Sequence, residues 1–402
     1  MYCPDVKLAE RIVSEFGTPV FVTDRSRLEN QVKILKEAMP KNGKIFYAMK
    51  ANYNPAILKV LKYAGVDGID SVSPFEIEMA MESGFSSKQI IFTGNNSDNH
   101  ELEEVHNHSI IPNLGSISEL KRFGDMFPGA EVSIRFNPGI GAGEFKDVVT
   151  GGSKSKFGVL ESELKDVKRI TSECKLKIIG VHCHIGSGFY KAKIFKKAVK
   201  SILKIARNFQ RLKFVDIGGG FGVRYENGSK EIDIREFFDS ISSDLEKFEI
   251  DNGCEFDLIV EPGKFLVAES TCLLAKVTNI KKNSGNVFVG TDTGMNHILR
   301  PALYSAHHHI VNLSNEGGNK KKVSVVGNIC ESTDVISVAK ISSPREGDIL
   351  AILTAGAYCA SMSSAYNLRP YAAEILVEKG SARLIRESLS FSSLYKGLGF
   401  KK

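Results

Sequence analysis

Residues 46–52 read FYAMKAN, an apolar, strand-like run that ends on a lysine. From Lys44 to Met49 apolar residues alternate as on a half-buried strand, and the pattern stops just past Lys50, where Asn52, Asn54 and Pro55 break it. The chain downstream repeats this unit. Strand-like runs at 44–50, 68–73, 90–94, 110–114, 131–137, 177–184, 214–217 and 256–261 alternate with helical periodicity at 54–65, 74–85, 98–109, 116–127, 160–174, 191–211 and 233–250. Eight strands alternating with helices predict an α/β fold with a parallel sheet. Its most economical closed form is a (β/α)8 TIM-like barrel, and a doubly wound open sheet is the alternative. After about residue 268 the rhythm changes to short β-rich runs such as CLLAKVTNI, NVFVGTD and KVSVVGNI. These predict a C-terminal antiparallel β-domain over 269–402, after a barrel over 26–268. The Gly-rich stretch 139–158 interrupts the barrel pattern without ending it, which marks a functional loop rather than a linker.

Composition excludes several classes. Of the 402 residues 42% are hydrophobic and 25% charged, the balance of a globular protein rather than a fibre or a disordered chain. The net charge of +6 is concentrated in Lys191–Lys213, where Ile194, Ala198, Ile202, Ile205 and Phe209 make an apolar face opposite the lysines. That is the solvated face of an amphipathic helix, so no nucleic-acid partner is expected. No apolar run reaches the length of a membrane span, and MYCPDVKLAE lacks the layout of a signal peptide. Seven scattered cysteines, none spaced as CxxC, point to reduced thiols and a cytoplasmic protein.

In such a barrel the active site lies at the carboxyl ends of the strands. The polar residues there are Lys50, Ser71, Ser73, Thr93, Asn113, Arg135, Asn137, His182, His184, Gly218–Gly220 and Glu261. A lysine at an apolar strand end is either a salt-bridge partner or a nucleophile, because burial disfavours its ammonium form and suits it to Schiff-base chemistry with a carbonyl. FVDIGGGFG places three glycines after the seventh strand, where bare N–H groups can cradle a phosphate; a ligand-free tight turn is the alternative. Val223 occupies the position where a dinucleotide fingerprint needs its last glycine. Glu261 could pair with a lysine or, beside a pyridine ring, keep the ring nitrogen protonated, and His184 offers a flat face to stack on such a ring. The HxH at His182 and His184 also suits a metal, but no third carboxylate completes a set in the sequence, and no metal is expected. His307–His309 reads as part of a polar interface helix.

FYAMKAN, GVHCHIGSG, DIGGGFG, EPGKFLV, RPALY, NICES and GAYCASMSSAYNLRPYAAEILV occur in an order and spacing that resemble the pyridoxal-phosphate-dependent, alanine-racemase-like (fold type III) decarboxylases, and among them the diaminopimelate decarboxylase family. The resemblance runs from about residue 16 to 388; single motifs are shared with ornithine, arginine and carboxynorspermidine decarboxylases. It implies pyridoxal 5'-phosphate as cofactor, with Lys50 forming the Schiff base, His184 stacking on the ring and Glu261 at the ring nitrogen. It further implies that Ser187, Gly218, Gly219, Gly220 and Gly263 surround the phosphate and that Tyr366 closes over it and over the substrate. Cys330 would donate the proton that replaces the lost carboxylate. Cys330 and Glu331 would come from a second subunit of a homodimer, and residues 1–25 would pack with the C-terminal β-domain.

The resemblance also implies a substrate, meso-2,6-diaminopimelate, whose decarboxylation to L-lysine is the last step of bacterial lysine biosynthesis. Arg300 and Tyr304 match residues that hold the distal carboxylate, and Glu331 one that receives the distal ammonium, where ornithine-type enzymes have aspartate after the cysteine. An arginine at that point has no use for a substrate lacking the far carboxylate. Two positions depart from the pattern: Lys264 stands where EPGR has its substrate-binding arginine, and Cys359 replaces the glycine after GAY. A related decarboxylase of carboxynorspermidine or ornithine type, or a non-catalytic pyridoxal-phosphate-binding regulator, are the other functions open to such a chain; retention of Lys50 and Cys330 speaks against the last.

Overall fold

The computed structural model describes residues 1–399 other than Asn227, Lys230, Cys254 and Leu398; the end of the 269–402 segment and one of the seven cysteines lie outside the described residues. The chain divides into two units. One comprises Gln31–Gly222 and Ile232–Phe265, the other Met1–Asn30, Val223–Glu231 and Leu266–Lys402.

The first strand, β1 (Val20–Asp24), belongs to the second unit. The first unit holds β2 (Gly43–Ala48), β3 (Gly68–Ser71), β4 (Ile90–Phe92), β5 (Ile111–Leu114), β6 (Glu131–Asn137), the two-residue β7 (Val159–Leu160), β8 (Lys177–His182), β9 (Phe214–Asp216) and β10 (Asp257–Val260). Apart from β7, which pairs only with the end of β6, each pairs in parallel with the next, and β10 returns to β2 to close an eight-stranded barrel. The open sheet is thereby set aside. Strands such as β3 and β4 are buried at every residue, because a parallel barrel covers both faces.

The sequence sets how far each strand end stands from the next helix. Asn54, Ser73, Asp98 and Ser116 each accept a backbone N–H in the first turn of the following helix, so the chain leaves the strand, presents one or two polar residues at the mouth and is then captured by a cap. Beyond the seventh barrel strand, Phe189, Phe195, Phe221, Phe237, Phe238 and Phe265 form an aromatic cluster with neighbouring ring centroids 5.4 to 6.4 Å apart. The cluster anchors the glycine turn through Phe221.

The second unit is built on a sheet containing β1, β11 (Thr271–Asn283), β12 (Asn286–Thr291), β13 (Ile310–Asn312), β14 (Lys320–Val326), β15 (Val335–Ser342), β16 (Ile349–Ile352), β17 (Ala373–Glu378) and β18 (Ser381–Arg386). It is mixed rather than purely antiparallel: β1 runs parallel to β17, and β12 parallel to β14. Alternation within β1 explains its place, since Val20 and Val22 join Ile12, Leu274 and Ile375 on one face while Phe21 joins Leu273 and Val325 on the other. Residues 305–309 are an extended connection, not the interface helix expected for His307–His309. The buried His308 spends its two nitrogens there, donating from Nδ1 to the Leu353 carbonyl and accepting at Nε2 from Arg300. Cys359 is buried in the sheet core. No helix among the described residues is long and apolar enough to cross a membrane.

Candidate active site

Lys50 lies in the single helical turn Met49–Ala51 that follows β2, and its Nζ donates to Asp70 Oδ2 at 2.5 Å. The ammonium side is 38% exposed and the carboxylate fully buried. Burial, then the charge of Glu261, push the Asp70 carboxyl up, against the pull of Lys50 and of the Thr93 hydroxyl. Sequence reasoning missed Asp70, because it sits one residue inside its strand rather than at the tip; the available signal was a lone carboxylate in the otherwise uncharged run GIDSVS. Gly263 closes the turn from the opposite side: a Cβ there would stand 3.1 Å from Ala51 Cβ and 3.2 Å from the Ala48 carbonyl.

Glu261, just past β10, is buried. It accepts at Oε2 from His182 Nε2 at 3.1 Å, while Oε1 has no hydrogen-bond partner. Burial by itself would raise its carboxyl; His182 and Lys50 overcome this and hold it below the usual carboxylate range. His182 and His184 do not act as a pair. His182 instead joins Asp216 and Glu261, whose ligating atoms all lie within 4.8 Å of one another, so the third carboxylate that the sequence reading found missing is present. Burial and then the Glu261 charge drive the Asp216 carboxyl well above its ordinary value, so the two carboxyls share one negative charge.

His184 is pushed down to about 3, first by burial and then by Arg135, and is a neutral, flat imidazole whose Nδ1 accepts from the Gly219 N–H at 3.2 Å. The Gly218 N–H goes to Asp216 Oδ1 at 2.8 Å, so two of the three amides offered as a phosphate cradle already have partners. The glycines are obligatory for another reason. A Cβ at Gly219 would lie 2.0 Å from the Glu261 carbonyl, and one at Gly220, where φ is +94°, 2.1 Å from the Gly186 carbonyl.

The loop after β6 is tied to the segment carrying His184 and Ser187. Ala142 and Thr150 donate to the Ile185 carbonyl, Glu144 to that of Ser187, Ser187 in turn to that of Val148, and the Thr150 hydroxyl to the His184 carbonyl. This places Glu144 Oε2 2.9 Å from Lys264 Nζ, with the lysine 6% and the glutamate 19% exposed. A Gly-rich composition flagged the loop; nothing flagged its carboxylate as a partner of the departing Lys264.

Five of the remaining expected residues lie in the second unit. Arg300 opens the short helix Arg300–Tyr304, is almost fully buried, stacks over the Tyr225 ring with 4.5 Å to the centroid and donates to His308 at 3.0 Å. Tyr304 ends the same helix, half-buried. Cys330, Glu331 and Tyr366 form an exposed cluster: the Tyr366 hydroxyl donates to Glu331 Oε1, and the Cys330 N–H donates to Asn367 Oδ1 at 2.9 Å.

A buried, partnerless carboxylate oxygen, a neutral flat imidazole and an amine at one barrel mouth fit a pyridoxal ring and its aldehyde. The family model described as "Pyridoxal-dependent decarboxylase, pyridoxal binding domain" matches residues 25–268. The chain is 37% identical to diaminopimelate decarboxylase of Methanothermobacter thermautotrophicus, over 97% of this chain and 93% of that one, and 33% identical to the Escherichia coli K12 enzyme, over 96% and 94%. The crystal structure of diaminopimelate decarboxylase from Helicobacter pylori complexed with L-lysine superposes with a TM-score of 0.89 at 33% identity, covering 97% of this chain and 99% of that one. The chain belongs to the diaminopimelate decarboxylases of the pyridoxal-dependent decarboxylase family.

Proposed function

We propose that this protein decarboxylates meso-2,6-diaminopimelate to L-lysine with pyridoxal 5'-phosphate. The observation that carries the reading is the pairing of an amine, Lys50, with a buried anionic Glu261 whose Oε1 has no partner, at the mouth of one barrel. When bound, pyridoxal phosphate supplies the electron sink for the pair left by the departing carboxylate. Lys50 would hold the aldehyde carbon, Glu261 would keep a proton on the ring nitrogen, and the flat, neutral His184 would stack on the ring. Ser187, Gly218–Gly220 and Gly263 would line the phosphate, although the amides of Gly218 and Gly219 already serve the turn itself. Cys330 would donate the proton that takes up the electron pair left on the decarboxylated carbon, and Tyr366 would contribute to substrate and cofactor binding.

Lys264 would hold the distal carboxylate, and Arg300, Tyr304 and Glu331, in the second unit, are proposed to select the substrate, the first two for its distal carboxylate and Glu331 for its distal ammonium. Cys330 and Glu331 serve the site of a second copy in a homodimer. The exposure of Cys330, Glu331 and Tyr366 together, beside a Leu368 that is 69% exposed, supports this, because such a cluster is suited to burial by another chain. The direct test incubates the purified protein and cofactor with diaminopimelate, ornithine, arginine and lysine separately and follows carbon dioxide. Release from diaminopimelate alone is expected; release only from ornithine or arginine would move the chain to a related specificity, and none from any would leave a regulator.

Lys264 gives a second expectation. Its ammonium holds the carboxylate of Glu144 at 2.9 Å, which shows that a carboxylate can be bound at this position. Removing one charged hydrogen bond at a desolvated carboxylate costs about 2 kcal/mol, so Lys264→Ala should lower kcat/KM for diaminopimelate roughly thirtyfold. An analogue without the far carboxylate should be used as before. Equal losses on both substrates would assign Lys264 to the fold or to the phosphate, leaving Arg300, Tyr304 and Glu331 to select the substrate.

A further inference from the structure

A run of buried polar side chains crosses the barrel mouth from Thr93 to Glu261. Thr93 Oγ1 accepts from Asn113 Nδ2, 3.3 Å away. The second hydrogen of the same Nδ2 points at His182 Nδ1, 2.8 Å away. A ring nitrogen that accepts carries no proton, and a carboxylate oxygen can only accept, so His182 carries a proton on Nε2, the atom 3.1 Å from Glu261 Oε2. Asp70, Thr93, Asn113, His182 and Glu261 are all buried, so water does not compete for these bonds.

We infer that His182 is a positioning residue that fixes the basicity of Glu261: held by Asn113 in the Nε2–H tautomer, it donates to Oε2 and leaves Oε1 as a weakly basic anion facing the cofactor's ring nitrogen. The inference rests on the cofactor reading above. Its consequence concerns a shared proton. A pyridine nitrogen and a carboxylate compete for the one proton between them, and each donor supplied to the carboxylate moves that proton toward the nitrogen. The other groups around Glu261 differ from His182 in kind. Lys50 is engaged by Asp70, His184 is neutral, Asp216 is a second carboxyl that shares one negative charge with Glu261, and Arg135, whose guanidinium stacks on the Phe157 ring, acts through space. The three-residue group that could also hold a metal ion is, on this view, a hydrogen-bonded set in which His182 spends its lone pair on Asn113.

Two conservative variants separate a positioning role from a structural one. In His182→Gln the longer side chain carries an amide N–H to about the place of Nε2, whereas in His182→Asn the amide can still meet Asn113 but falls one methylene short of Glu261. With ring-15N pyridoxal phosphate bound, nitrogen NMR reads the ring protonation directly. The wild type and His182→Gln should show a protonated ring at pH 8, and His182→Asn a ring-protonated fraction lower by roughly tenfold or more, the scale of one hydrogen bond to a charged group. Turnover should fall with it, in kcat more than in KM. Wild-type shifts in His182→Asn, or a neutral ring in both variants, would overturn this inference alone. A wild-type chain that binds no pyridoxal phosphate would overturn it together with the proposed function.

Discussion

Lys50→Ala should abolish the visible absorption of the lysine-bound cofactor and lower turnover by about three orders of magnitude or more, the scale expected when a positioned nucleophile is removed. The expectation follows from placement. Lys50 stands on the first turn after β2 with more than a third of its side chain accessible, and its partner Asp70 is wholly buried. Lys264, four residues past β10, is buried and engaged by Glu144, so it is poorly placed to take over. The variant should still fold. Asp70 is already pushed toward its neutral form by burial, and without Lys50 it can take up a proton instead of remaining an uncompensated charge. Two measurements decide the matter: the absorption spectrum after reconstitution, and the site of the adduct trapped by borohydride reduction of the wild-type protein. An adduct on any lysine other than Lys50, or an unchanged spectrum in Lys50→Ala, would move the chemistry elsewhere in the barrel.

Much of this was legible in the sequence because strands and helices are local. The eight barrel strands lie where alternation and helical periodicity put them, with ends shifted by up to two residues. What was not legible is pairing across distance. Asp70 reaches Lys50 over 20 residues, His182 reaches Glu261 over 79 and Lys264 reaches Glu144 over 120, and no local pattern announces such partners. Proton direction is harder still, because the tautomer of His182 depends on Asn113 in β5 and on Glu261 just past β10. The mixed sheet escaped for a similar reason: β1 pairs with β11 and β17, some 250 and 350 residues downstream, so no turn signal fixes its direction. The three histidines at 307–309 look like a polar helix by composition, yet the middle one is buried because Arg300 and a backbone carbonyl offer it both an incoming donor and an acceptor. The glycine turn was located correctly, but its glycines answer first to the close approach of neighbouring carbonyls.

Cys330→Ala should lower kcat about a hundredfold while leaving KM near its original value, since a proton donor acts in the transition state and contributes little to binding. The local structure makes this a clean substitution. The segment is held by the Cys330 backbone N–H on Asn367 and by the Tyr366 hydroxyl on Glu331, so loss of the exposed sulfur breaks neither contact. If Cys330 serves the site of a second copy, an inactive Cys330→Ala chain and an inactive Lys50→Ala chain can repair each other. Random exchange gives half heterodimers, each with one site that combines an intact Lys50 with an intact Cys330, so about a quarter of the wild-type activity should return. Native mass spectrometry on the mixture confirms that the chains have exchanged. Heterodimers that form and remain inactive would mean that Cys330 does not work across a two-fold axis with Lys50. The proton donor would then have to be sought within the chain that carries the lysine.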